Sequence, residues 1–292
     1  MPWQSSIAKI FISFHRTFIE FIRAIVDNDY AMNTKLRSIS DNSTPITAHL
    51  FITCLVDNLF PTVGESMVKV LRKLGIKVYF PKEQTCCGQP AHNSGYGHDA
   101  RIVAKRFIEV FEEALKNTPG ENAYIVSPSG SCVSMVKVFY KELFKDDPQM
   151  LEKLRLISQR THEFSDFLVN VLDITDVGAK YQGTVTYHDA CHMLRELRIK
   201  DEPRRLIENV QGLDFKEMEM HDACCGFGGT FAVKFPKVSV SMLDEKIDCL
   251  LASGADTLVS SDSGCLMNID GALSNRNIQM KVMHLAELLA QS

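Results

Sequence analysis

The sequence predicts an α/β protein of two repeated domains with mostly parallel sheets, related by a pseudo-two-fold axis. Three observations carry this. Short β-rich runs alternate with helical stretches along the chain, as in successive βαβ units. The two halves repeat one cysteine arrangement in the same order, the mark of an internal duplication. Single cysteines follow strands directly, at the edge where open α/β sheets bind their ligands.

The elements follow in chain order. Residues 49–53 (HLFIT) read as a buried strand, 62–74 as a helix ending at Gly75, and 76–80 (IKVYF) as a second strand. A long helix over 99–116 has Ile102, Phe107, Val110, Phe111 and Leu115 among its apolar positions. AYIVS (123–127) is a third strand and 132–145 a helix; helical residues 150–172 lead to the second half. That half begins at VTYH (185–188) and has helices near 202–210 and at 238–252. DTLVSS (256–261) and KVMH (281–284) are strands, and a terminal helix closes the chain. The expected organisation is an N-terminal extension (1–47), a first repeat (48–148), a helical connector (149–180) and a second repeat (181–292).

Composition limits the function classes. The 292 residues carry 32 Lys and Arg against 36 Asp and Glu, a formal net charge of −4. Such a chain offers no basic field, which argues against a nucleic-acid partner. No uninterrupted apolar run reaches the ~18 residues of a spanning helix. The N-terminus lacks the unbroken apolar run and cleavage site of a secretory signal, so a cytoplasmic protein is expected. Ile7, Ile10, Phe11, Phe14, Phe18, Phe21, Ile22 and Ile25 share one helical face. Residues 7–25 therefore predict an amphipathic helix that belongs to a dispensable extension, with Met32 as an alternative start, or packs on this protein, or contacts a membrane surface or partner, with 31–48 as polar linker.

The nine cysteines carry the chemistry. Cys54 is followed 32 residues later by Cys86-Cys87-Gly88, and Cys132 comes 45 residues after Cys87. Cys191 is followed 33 residues later by Cys224-Cys225-Gly226, and Cys265 comes 40 residues after Cys225. Eight cysteines thus form two matched sets of four. Cys249, in a helical IDCLLA context, reads as core packing. Gly88 and Gly226 permit backbone angles that bring both adjacent sulfurs to one place. Thiols stay reduced in the cytosol, so clustered cysteines point to metal or redox chemistry over disulfides. Four converging thiolates suit an iron–sulfur cluster or zinc. Adjacent cysteines are unusual for zinc, whose knuckles space their ligands; the several irons of a cluster suit them better, with one cluster expected per repeat.

These residues resemble the cysteine-rich CCG domains found twice in a subunit of heterodisulfide reductase and in glycolate oxidase iron–sulfur subunits. The match is closer to the lactate utilization protein A group. FITCLVD (51–57), CCGQPAHNSGY (86–96), SPSGSC (127–132), CCGFGGTF (224–231), DSGCLMNI (262–269) and KVMHLAE (281–287) carry it, and it spans about residues 48–290. The sequence departs once in each half: Ser129 and Asp262 stand where the family pattern has the first Cys of Cys-x-x-Cys. Four thiolates per site remain instead of five, with Ser129 and Asp262 as candidate oxygen ligands. The resemblance implies an iron–sulfur electron-transfer subunit of a multi-subunit system oxidising L-lactate to pyruvate. It implies two further subunits, one a ferredoxin-like iron–sulfur protein, and a 2-hydroxy acid handled through the complex.

Among other residues, His188 and His284 end strands on the ligand-bearing edge and are candidates for hydrogen bonding to a cluster or for substrate contact. The catalytic residues are not assigned. Arg195, Arg198, Arg204 and Arg205 read as a solvated helix face. CGFGGTF (225–231) does not match a dinucleotide loop. Two other functions fit the same cysteines. One is a thiol–disulfide reductase acting through Cys-Cys-Gly, and the other is a zinc-stabilised interaction module.

Overall fold

The computed structural model describes residues 45–118 and 122–292; the helix expected over 7–25 lies outside them. The first half contains β1 (Thr47–Leu50), α1 (Cys54–Leu59), α2 (Pro61–Lys73), β2 (Lys77–Tyr79), α3 (Gln89–Asn93), α4 (Gly97–Lys116) and β3 (Ala123–Ser127). Helix α5 starts as Gly130–Ser134, passes through a π-helical turn at Met135–Phe139 and ends as Tyr140–Leu143. Next come α6 (Pro148–Arg160), β4 (Thr161–Glu163) and α7 (Phe164–Asp166), the last running into a π-helical turn at Phe167–Val171. The second half contains β5 (Lys180–His188), α8 (Cys191–Arg195), α9 (Asp201–Glu208), β6 (Gln211–Phe215), α10 (Thr230–Lys234) and α11 (Pro236–Ala252). It finishes with β7 (Thr257–Ser260), α12 (Ser263–Asn275), β8 (Lys281–His284) and α13 (Leu285–Leu289).

Each half folds around one four-stranded, all-parallel sheet. The orders are β2-β1-β3-β4 and β6-β5-β7-β8, the same order in both. Register in the first sheet sets Thr47 beside Lys77 and Ala123, and in the second Val185 beside Phe215 and Thr257. The central strands β1 and β7 are buried at every residue, as parallel strands covered on both faces must be. In each sheet the chain first moves outward to one side, then crosses back to the other. The first and third strands therefore flank the point where the winding reverses, the usual ligand crevice of open α/β sheets.

Three differences from the expected elements have physical causes. The strand expected over 49–53 pairs only over Thr47–Leu50. Beyond it the buried Gln84 side chain takes the ladder's place: its Oε1 accepts from Ile52 N at 2.9 Å and its Nε2 donates to Leu50 O at 3.0 Å. The segment read as a purely helical connector carries β4, which pairs with β3 through Ile125 and Thr161. Strand β6 was not expected either. Its sequence, QGLDF, is a largely exposed edge with no apolar run to announce it.

Three cores hold the molecule together. One contains Phe51, Phe107 and Phe111 with Cys86, Cys87 and Cys132. Another packs Met193, Ile247 and Ile269 with Cys225 and Cys265. The third joins the halves: Leu50, Met67 and Phe164 of the first pack with Tyr187, Val259 and Leu285 of the second. At its rim Thr62 Oγ1 donates to Glu287 Oε1 at 2.6 Å, and Lys69 Nζ to Ala290 O at 2.8 Å. The joint is therefore a continuous apolar core, and it fixes the two ligand-bearing edges relative to each other.

Candidate metal centre

The same local geometry presents the cysteines in both halves. Cys54 opens α1 and Cys191 opens α8. Cys132 is the third residue of α5, and Cys265 the third of α12. Each lies in the first helical turn after a central strand. The Cys-Cys-Gly turns then fold over the same edge. Gly88 and Gly226 take φ of +83° and +82°, a left-handed conformation that L side chains resist. This bend aims Gly88 N–H at Cys86 Sγ and Gly226 N–H at Cys224 Sγ, both at 3.4 Å. The turns are anchored from behind: Tyr140 Oη donates to Cys87 O at 2.8 Å, and Asn268 Nδ2 to Cys225 O at 2.9 Å.

The sulfurs converge. Cys54 and Cys86 stand 3.7 Å apart and Cys87 and Cys132 3.5 Å apart. In the second half, ligand atoms of Cys225, Cys265 and His188 all lie within 4.8 Å of one another. Every repeat cysteine except Cys86 lines one cavity of about 250 Å³ between the halves, together with Ser129 and Asp262. The two sets thus open onto a single space, which spacing alone did not announce. Cys249 lies apart from it, on α11.

The cysteine-rich CCG family model matches residues 48–137 and 185–270. The chain is 49% identical over 242 residues to a lactate utilization protein A 2 of Bacillus cereus, covering 83% of this chain and 97% of that one. It is 50% identical over 240 residues to the lactate utilization protein A of an Exiguobacterium species, covering 82% and 95%. This chain belongs to the lactate utilization protein A group of the CCG family. A hypothetical protein from Helicobacter pylori shares the fold, with TM-score 0.54 and 14% identity over 91% of this chain and 54% of that one.

In this member of the lactate utilization protein A group, the two departures from Cys-x-x-Cys have a structural role. Both residues are N-caps. Ser129 Oγ accepts from Cys132 N at 3.3 Å, and Asp262 Oδ1 accepts from Gly264 N at 3.1 Å. Ser and Asp are favoured caps because a side-chain oxygen satisfies an orphan N–H of the first turn. Here they hold the turn that presents Cys132 or Cys265. They also meet each other: Ser129 Oγ donates to Asp262 Oδ2 at 3.1 Å, and Ser131 N–H donates to the same oxygen at 3.1 Å.

The electrostatics test whether a cationic group fits. Hydrogen bonding to Cys86, then burial and neighbouring thiols, pushes the Cys54 thiol far up. Hydrogen bonds with Cys132 and Cys86, then burial, do the same to Cys87. Cys191 and Cys225 are raised by hydrogen bonds to Cys224 and by burial. Cys224 is the exception, held low because the Cys191 and Cys225 thiols hydrogen-bond to its sulfur. Crowded buried thiols share protons because several thiolates would repel; a metal or cluster cation removes that conflict and deprotonates its ligands. His188 makes the same point. It is fully buried, neither ring nitrogen has a hydrogen-bond partner among the described residues, and burial lowers its pKa to about 4. The donor set therefore fits a soft metal centre.

The other candidates are placed as follows. His284 is buried and used: its Nε2 lies 2.9 Å from Pro128 O across the joint, and its Nδ1 accepts from Ala286 N at 3.0 Å. Arg204, read from sequence as part of a solvated face, instead pairs with buried Asp189 at 2.8 Å and with Glu217 at 2.6 Å. Sequence inspection overlooked Lys246. It is 1% exposed, and its Nζ donates to Met220 O. Its position on the face of α11 that buries Leu243, Ile247 and Leu250 was the available signal.

Proposed function

We propose that this chain is an iron–sulfur electron-transfer subunit of a multi-subunit system that oxidises L-lactate to pyruvate. The convergence of two matched thiol sets, Cys86 apart, on one cavity is the observation that carries the reading; the names of the chain's relatives supply the pathway. In it, Cys54, Cys86, Cys87 and Cys132 hold one centre, and Cys191, Cys224, Cys225 and Cys265 the other. A bound cluster supplies one-electron transfer. The chain's own residues do the rest. The Cys-Cys-Gly turns direct N–H groups at ligand sulfur, which favours the anionic ligand. Phe51, Phe107 and Tyr140 keep water from the back of the first set. Ser129 and Asp262 fix the helical turns that present Cys132 and Cys265.

The cavity lining contains no Lys or Arg among the described residues. A 2-hydroxy-acid carboxylate meets no permanent cation there, only His192, which supports assigning substrate binding to one of two further subunits. The proposed place of work is the cytoplasm, where thiol ligands stay reduced. Among the described residues no helix is long and apolar enough to cross a membrane. The test is anaerobic purification and reconstitution followed by iron, acid-labile sulfide and EPR analysis. Iron and sulfide with a reducible paramagnetic signal are expected. Stoichiometric zinc without a redox signal would overturn the proposal.

A further inference from the structure

The two halves are not chemically equivalent, and besides Ser129 and Asp262 they differ at one more matched position. Three residues before Cys54 stands Phe51; three residues before Cys191 stands His188. Phe51 is fully buried and packs edge-on against Phe107, with ring centroids 4.7 Å apart. His188 is equally buried, yet its ring brings two polar nitrogens into a place where Phe51 brings none. Among the described residues neither nitrogen meets a donor or acceptor. A buried polar group left unpaired costs about 1–3 kcal/mol, so an imidazole here needs a partner that the polypeptide does not supply. A ligand atom of His188 shares one 4.8 Å cluster with the sulfurs of Cys225 and Cys265. Imidazole nitrogen is a common metal ligand.

We infer that His188 is a direct ligand of the second centre, which is therefore a mixed thiolate–imidazole site, whereas the first is ligated by thiolates alone. This rests on the cluster reading above. The consequence is that two centres with matched thiolate sets differ in ligation, and ligand identity is one of the terms that set a cluster's potential.

The experiment uses the full chain, reconstituted anaerobically with iron and sulfide, with iron and sulfide assayed first. Dithionite-reduced protein, grown with either ordinary or ¹⁵N-labelled histidine, is then examined by pulsed EPR. A strong coupling from a directly bonded nitrogen, altered by the label and lost in His188→Phe, is expected. The variant should also show one potential moved and the other unchanged. Iron and sulfide present without a bonded nitrogen overturns the inference and leaves the cluster reading intact. No iron or sulfide overturns both, and the initial assay separates the two failures. Where His188→Phe fails to fold, the labelled protein carrying His192→Gln, which removes the histidine lining the cavity, should keep the coupling, and its loss there would overturn the inference.

Discussion

Gly226→Ala is expected to cost far more than Gly88→Ala, although both glycines serve the same turn. Their φ values match, at +82° and +83°, so both variants incur the left-handed penalty of about 1–2 kcal/mol for an L residue. The surroundings differ. An added Cβ at Gly88 would sit 3.3 Å from Ala100 O and 3.5 Å from Val103, a tight contact that small shifts relieve. At Gly226 it would sit 2.5 Å from Ser239 O. That carbonyl belongs to the backbone of α11, so the helix itself must move. Ser239 Oγ also donates to Gly226 O at 2.8 Å, tying the turn to the same residue. Overpacking of this kind costs about 1–3 kcal/mol. The totals are about 2–5 kcal/mol for Gly226→Ala and about 1–2 kcal/mol for Gly88→Ala. Urea unfolding of the metal-free proteins under reductant, followed by circular dichroism, reads the difference as a shift in midpoint at constant slope. Equal losses, or a larger loss for Gly88→Ala, would refute the assigned contact.

Three other expectations follow from the same geometry. Asp262→Ala leaves three donors without their acceptor and should cost about 2–3 kcal/mol, against about 1 kcal/mol for the simpler cap loss in Ser129→Ala; comparable urea midpoints would contradict this. Lys246→Met removes a buried positive charge near Cys225. In the reconstituted protein it should lower the second centre's potential by tens of millivolts, where ~59 mV is tenfold for one electron, and an EPR redox titration with both potentials unmoved would refute it. Burial raises the Glu163 carboxyl from its ordinary 4.5 to about 8. Between those values the folded chain keeps a proton that the unfolded chain releases, so stability falls as pH rises through that window, by on the order of 5 kcal/mol. Glu163→Gln should flatten that part of the Tm profile, from about pH 4.5 to 8; an unchanged slope would count against it.

What was legible in the sequence and what was not follow from the range of the interactions. The repeat of cysteines, the alternation of elements and the Cys-Cys-Gly turns are local patterns, and AYIVS and KVMH appear as strands at their expected residues. Strands β4 and β6 are set by pairing with distant partners; THE and QGLDF carry little intrinsic β preference. The merging of two thiol sets into one cavity depends on the apolar joint between the halves, which brings together residues as far apart in sequence as Thr62 and Glu287. Lys246 and Arg204 look solvated in a sequence because charge is normally exposed. Only tertiary packing shows that one is buried against a carbonyl and the other against Asp189. The capping role of Ser129 and Asp262 was readable in principle, since each precedes a helix, but their place in the cysteine pattern drew attention to ligation instead.

The contact between Ser129 and Asp262 shows what it means for both halves to lie on one chain. Two identical subunits meeting on a two-fold axis must present the same residue from both sides. At this point that would set carboxylate against carboxylate, or hydroxyl against hydroxyl. Joined in one polypeptide, the partners are free to become donor and acceptor, and Ser129 and Asp262 have done so. The covalent link thus removes the requirement of self-complementarity at the axis. Once that requirement is gone, each side can be selected separately for its own task.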